Sequence, residues 1–248
     1  MSTVNGNYYG GIVKDGLVLL LDAAKRDSYS RVGTIWTDIT WNGNNGALTN
    51  FGSQTIWNGD DGGSIVFDGT NDYVINTSLP TFNVGSINIW FKPTTTINAS
   101  SPVSTLIQLR YGASIGSGWY IQFGPATSLL TNEYLTIIDL VSGRRQGLTT
   151  SGGSFLANTW YNLVFNYEST QYQIYVNSVL NASTSSPSGV GLLTNPNRLL
   201  IGAGSGEGIV NPFDFLNGNV SIVQIYNRTL STSEITQNYN SLKGRFGL

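Results

Sequence analysis

In the stretch Trp160-Tyr-Asn-Leu-Val-Phe-Asn-Tyr167, apolar residues recur at every second position, and this sets the reading of the chain. Tyr161, Leu163, Phe165 and Tyr167 fall on one side of an extended backbone, with Asn162 and Asn166 on the other. Successive side chains of a strand point to opposite faces, so this beat predicts a strand with one face in a core and one in water. Ser86-Ile-Asn-Ile-Trp-Phe91 repeats it, setting Ile87, Ile89 and Phe91 against Ser86, Asn88 and Trp90. Residues 119–123, 171–177 and 221–226 read the same way.

The breaks between these runs carry turn chemistry. Asn42-Gly43, Asn45-Gly46, Asn58-Gly59, Asp68-Gly69, Gly152-Gly153 and Asn217-Gly218 supply residues that tolerate positive φ. Short strands separated by such turns, with no series of helical crossovers, predict an all-β antiparallel jelly-roll sandwich.

One short helix is legible at the C-terminal end. Ser231-x-x-Glu234 is a capping box, in which serine and glutamate each satisfy a backbone N–H of the first turn. Ile235, Tyr239 and Leu242 follow at helical spacing as an apolar stripe, which needs either the sandwich or a neighbouring subunit to cover it. Residues 1–13 are rich in Gly, Asn and Tyr and lack a period, as expected of an arm. The chain therefore divides into an N-terminal arm (1–13), one sandwich (14–230) and a capped helix with its tail (231–248).

Composition narrows the chemistry. Of 248 residues only 10% are charged, and cysteine and histidine are absent. A disulfide framework, a thiolate zinc site, a cysteine nucleophile and a histidine base are all excluded. A formal charge of -2 offers no electrostatic footprint for nucleic acid or an anionic membrane. Residues 1–9 lack the basic and apolar regions of a secretory signal, and the longest apolar run is too short to span a bilayer. The expectation is a soluble chain that either stays where it is made or leaves by a route other than standard secretion.

Three stretches resemble the concanavalin A-like, laminin-G-like jelly-roll family. The first is Asp15-Gly-Leu-Val-Leu-Leu-Leu-Asp-Ala-Ala24 with Thr34-Ile-Trp-Thr-Asp-Ile39 and Asn42-Gly-Asn-Asn-Gly-Ala-Leu48. The second is Gly63-Ser-Ile-Val-Phe-Asp-Gly-Thr-Asn-Asp-Tyr-Val74, and the third runs from Phe215 through Gly218 and Tyr226 to Ser231. Two positions depart from the family pattern: Asn177-Ser178 stands where Asn-Gly is common, and Ser221 where an acidic residue is common.

The ends, Gly10-Gly-Ile-Val-Lys-Asp-Gly16 and Gln237-Asn-Tyr-Asn-Ser-Leu-Lys-Gly-Arg-Phe-Gly-Leu248, are similar to structural proteins of tailed-phage particles. That resemblance implies a virion component assembled in the host cytoplasm, chiefly a capsid decoration or cement protein. Its partners would be the major capsid protein and further copies of itself. The contacts would come from Tyr8, Tyr9, Ile235, Tyr239, Leu242, Arg245 and Phe246. The alternative it implies is a tail or fibre module that binds host-surface carbohydrate, with a polysaccharide hydrolase as the third reading.

The residues themselves argue against catalysis. Glu133, Glu168, Glu207 and Glu234 are isolated, with no run of acidic residues at alternating positions to set two carboxylates across a glycosidic bond. No cofactor is expected. Calcium is the metal for which ligands exist, at Asp68 and Asp72, although both carboxylates also suit a turn in which they accept backbone N–H groups. A sugar platform could be built from Trp41, Trp57, Tyr111 or Trp119, with asparagines close in sequence.

Overall fold

Leu163 lies opposite Ile89, and Ile89 in turn opposite Val223. These residues centre three antiparallel strands, β12 (Tyr161–Glu168), β7 (Gly85–Pro93) and β18 (Asn217–Tyr226). The computed structural model describes residues 11–52, 56–80, 82, 84–111, 118–124, 133–141, 144–151, 153–185, 196–205 and 211–248. Beyond β12 the first sheet continues through β13 (Gln171–Val176) to β14 (Val179–Ser185). Beyond β18 it continues through β5 (Ser64–Asp68) to β4 (Trp57–Asn58). β1 (Leu17–Asp22) also pairs with β18, end to end with β5 along the same edge.

The second sheet runs in the order β11 (Arg144–Ser151), β10 (Glu133–Val141), β9 (Gly118–Phe123), β8 (Ser104–Tyr111), β15 (Pro196–Ile201), β6 (Tyr73–Asn76), β3 (Gly46–Thr49) and β2 (Ile35–Trp36). A short ribbon, β16 (Gly204–Ser205) with β17 (Pro212–Phe213), lies apart from both. Among the described residues the strand pairs are antiparallel, as the turn-rich sequence predicts.

The alternation read from sequence builds the core between the sheets. Ile87, Ile89, Phe91, Leu163 and Phe165 meet Ile107, Leu109, Ile121, Phe123 and Leu199 in one buried cluster. Phe91 packs on Phe123 at 5.1 Å between ring centroids, and Trp119 meets Phe165 edge-on at 5.5 Å. Each such side chain contributes about 1.5–3 kcal/mol on burial.

The other face of the first sheet is not in water, contrary to the expectation from its polar residues. Ser86, Asn88, Asn162, Asn166 and Gln224 are all buried. They satisfy one another: Asn162 donates to Asn88, Asn88 donates to Gln224, and Ser86 and Asn166 are bonded to each other. Amides that look solvated in sequence thus form a buried ladder whose side-chain polar atoms are paired apart from the Asn162 oxygen.

Its cover is α1 (Thr232–Leu242), the 3-10 turn that follows it (Lys243–Phe246) and residues 11–13. Ser231 and Glu234 form the capping box as read, and the Arg228 guanidinium grips both Glu234 oxygens. That grip, together with the Ser231 hydrogen bonds, holds the Glu234 carboxyl down at about 2. Ile235 is buried on the sandwich, and Trp90 stacks on Phe246 at 4.2 Å. Val13 donates its N–H to buried Asn238 and accepts the Tyr226 hydroxyl, which in turn accepts from the Asn238 amide. Burial pushes the Tyr226 hydroxyl well above its ordinary range. The arm expected over 1–13 therefore has its last residues, Ile12 and Val13, packed in the body.

The β13–β14 hairpin turns at Asn177 and Ser178, with φ of 49° and 65°. Two consecutive residues at positive φ make a type I′ turn, which favours glycine at the second position. Serine pays the left-handed penalty that glycine avoids, partly offset by the greater freedom of glycine in the unfolded chain. Ser178→Gly is expected to raise stability by about 0.5–1 kcal/mol and the melting midpoint by about 2 °C. Calorimetry checks it; an unchanged or lower midpoint contradicts the strain argument.

Candidate functional site

Asp38 follows β2, and its carboxylate is only 2% exposed. It accepts the N–H groups of Leu20 (3.0 Å), Thr40 (2.9 Å) and Asn44 (3.1 Å), and the Thr40 hydroxyl. Its own N–H donates to Asn45, while Ile39 donates to the Leu20 carbonyl. The loop between β2 and β3 is thereby zipped along the free edge of β1. Asn42 and Asn44 complete the seam, both donating their side-chain amides to the Val18 carbonyl, at 3.1 and 2.9 Å.

At the tip of this clamped loop stands Trp41, 75% exposed and at φ of 67°. Among the described residues its indole has no ring or hydrogen-bond partner. A bulky residue in the left-handed region is strained, and such strain persists only where surrounding bonds over-determine the backbone. Here the Asp38 and Asn42/Asn44 bonds do so, and the result is a rigid loop holding a bare aromatic face beside amide groups. That arrangement can stack on an apolar ring face and hydrogen-bond its hydroxyls.

The other expected platforms fare differently. Trp57 is half-buried and donates its indole N–H to the Ala23 carbonyl at 2.9 Å. The Trp41 loop binds Val18 and Trp57 binds Ala23, so the two are anchored toward opposite ends of β1, at backbone positions roughly 16 Å apart at strand rise. Trp119 is 2% exposed and packed between the sheets, which removes it as a ligand platform: its alternating position points it inward. Tyr111 ends β8 opposite Pro196, and its side chain lies outside the described residues.

The calcium candidates are engaged in a turn. Asp72 is fully buried and accepts the Asp68 N–H at 3.0 Å, while Asp68 accepts the Thr70 N–H at 2.7 Å. Among the described residues, no three acidic side chains gather where a metal could sit. The contact residues expected for neighbours are largely engaged within the chain. Ile235 and Phe246 are buried, Tyr239 stacks on Trp90, Leu242 packs beside them, and Arg245 pairs with Asp22. Each caps the outer face of the first sheet, which otherwise leaves Trp90 and Leu20 uncovered. Tyr8 and Tyr9 lie outside the described residues.

A cavity of about 260 Å³ opens beside the first turn of α1, lined by Asn166, Glu168, Gln171, Gln173, Arg228 and Glu234 among others. Its arginine is already matched by Glu234 and Asp15. Sequence reading missed Asp38, Asn42 and Asn44 as parts of a site. Their signal was the density of Asn and Gly on either side of a tryptophan in a segment without strand period.

A family model, Laminin_G_3 of the Concanavalin A-like lectin/glucanases superfamily, matches residues 68–236. The chain belongs to this superfamily. The laminin-G-like sandwich is shared with solved structures at low identity, which speaks to fold alone. Domain 4 of AbnA, an extracellular arabinanase of Geobacillus stearothermophilus solved with arabinotriose, is similar over 92% of this chain and 100% of its own, at 17% identity and a TM-score of 0.63. A structure of botulinum neurotoxin type C, whose cell entry depends on two ganglioside molecules, matches over 92% of this chain at 15% identity and a TM-score of 0.65. The binding domain of Paraclostridial Mosquitocidal Protein 1 is similar at 18% identity and a TM-score of 0.62. This laminin-G-like chain spans about half the length of those two toxin structures. No curated protein matches it in sequence.

Proposed function

We propose that the chain is a carbohydrate-binding module that holds a glycan on the face of Trp41, without transforming it. The observation that carries this is an indole three-quarters exposed, at positive φ, on a loop clamped by a buried carboxylate. Rigid aromatic groups ready for contact lose little conformational entropy on binding, and exposed ones gain most from a partner. Asn42, next to it in the chain, and Ser78, whose hydroxyl bonds the Gly43 carbonyl of the same loop, are the neutral hydrogen-bonding groups of this segment. The likeness to an arabinanase domain solved with arabinotriose supports a glycan as the ligand.

The ends of the chain resemble phage structural proteins, and on such a particle this module suits a tail or fibre that grips a host-surface glycan. A capsid-cement role relied on the terminal contacts, and Ile235, Arg245 and Phe246 are engaged within the chain instead. The binding reading is therefore preferred.

A glycan array followed by calorimetry on the best ligand tests the proposal. Trp41→Ala is expected to weaken binding about thirtyfold or more, as for a hot spot of about 2 kcal/mol. Its melting midpoint should stay within about 1 °C, because an exposed side chain contributes little to the fold. Undiminished affinity in Trp41→Ala overturns the assignment of the site.

A further inference from the structure

Arg31 lies in the loop between β1 and β2, exposed and at φ of 72°. Its guanidinium carbon sits 4.2 Å from the centre of the Trp57 ring. Among the described residues no carboxylate pairs with it. The loop beneath is rigid. Buried Ser28 and Tyr29 both donate their N–H groups to the Lys25 carbonyl, Ser28 also bonds Thr37, and the Tyr29 hydroxyl bonds the Gly33 carbonyl. Trp57 is fixed in turn by its bond to Ala23. Gly59 keeps that ring clear, since a Cβ there would come within 3.0 Å of it. The chain thus holds an arginine in a strained backbone conformation against a tryptophan, with no anion among the described residues to reward it.

A guanidinium laid on an aromatic face has its flat side covered, while its N–H edge still points to solvent. That edge matches a carboxylate or sulfate in bidentate geometry. Lys25 and exposed Arg26 share the loop, against one acidic residue, Asp27. This loop is cationic although the whole chain carries -2; on the Trp57 side, Asp61 is paired with Lys92 and Asp60 is the exposed carboxylate nearest in sequence.

We infer that the Arg31–Trp57 stack is a second subsite that reads a carboxylate or sulfate substituent on an extended acidic glycan anchored at Trp41. The inference rests on the carbohydrate-binding reading and adds its substrate class. The anchor points of the two subsites lie roughly 16 Å apart along β1, which asks for an oligosaccharide rather than a single sugar.

The test is calorimetric titration of the full chain with two matched pairs: an oligogalacturonate and its methyl ester, and a sulfated galactan oligosaccharide and its desulfated form. The expected result is about tenfold tighter binding of the charged member in at least one pair at low salt, the pair identifying which anion is read. The preference should shrink as ionic strength rises, because the subsite is exposed. Arg31→Met should erase the preference while leaving the neutral member unchanged, and Arg31→Lys should retain part of it, keeping charge without the fork. Trp41→Ala should weaken both members alike. Equal binding within both pairs, or a preference that survives Arg31→Met, overturns the inference while leaving carbohydrate binding standing. Failure of every array glycan and of both pairs to bind overturns the carbohydrate reading and this inference with it.

Discussion

Arg245→Met is expected to cost about 3–5 kcal/mol of stability, the penalty for leaving a buried carboxylate without its partner. Asp22, at the end of β1, is 1% exposed, and its ion pair is with Arg245 at 2.8 Å. The same guanidinium donates to the Asp61 and Gly63 carbonyls and to the Ser221 hydroxyl. Ser221 sits at an irregularity in the pairing of β18 with β7, where β1 and β5 abut along the opposite edge. Two strands that end at one point leave carbonyls without ladder partners, and one planar cation with five donors satisfies them together. Met keeps the stem's packing and removes every donor, so the loss is electrostatic rather than steric. Denaturant unfolding measures it, and a loss below about 1 kcal/mol would show that water replaces the guanidinium. The double variant Asp22→Asn with Arg245→Met should recover part of the loss, because it removes the stranded charge.

Asp38→Asn should act on stability and function at once. One carboxylate oxygen accepts from Leu20, Thr40 and the Thr40 hydroxyl, and the other from Asn44. An amide offers a single acceptor oxygen, so its NH2 must face an N–H it cannot bond. Leaving buried donors unsatisfied costs about 1–3 kcal/mol each, and a total of about 2–4 kcal/mol is expected. The loop carrying Trp41 then loses the bonds that hold its strained backbone, and glycan affinity should fall below that of wild type even at temperatures where the variant is fully folded. Calorimetric melting and titration on one preparation separate the effects. A destabilised variant with intact affinity would mean that the Asn42 and Asn44 bonds to Val18 suffice to hold the loop.

Much of the sandwich is legible because a strand's two faces meet different surroundings at every step. Ile87, Ile89, Phe91, Leu163 and Phe165 could be assigned to one interior from spacing alone, and so could the Ser231–Glu234 cap. Trp119 shares this alternation with Ile121 and Phe123, yet it stands among the expected sugar platforms, and its core position corrects that expectation. Composition misled at the amides. Asn88, Asn162 and Asn166 have the same chemistry whether they face water or one another, and only the packing of α1 over them selects the second.

The local order of residues determined the strands, the turns and the helix cap, because backbone preference and period two act over a few neighbours. It also placed an asparagine-rich turn around Trp41 and supplied Arg31 without an acidic neighbour within three residues. Tertiary structure decided which aromatic reaches solvent, since that depends on Asp38 meeting the Leu20 N–H across 18 positions. It also turned the C-terminal stripe inward, with Phe246 against Trp90 and Arg245 against Asp22. Those contacts join residues more than 150 positions apart, and their energy exists only once the C-terminal tail has docked on the outer face of the first sheet.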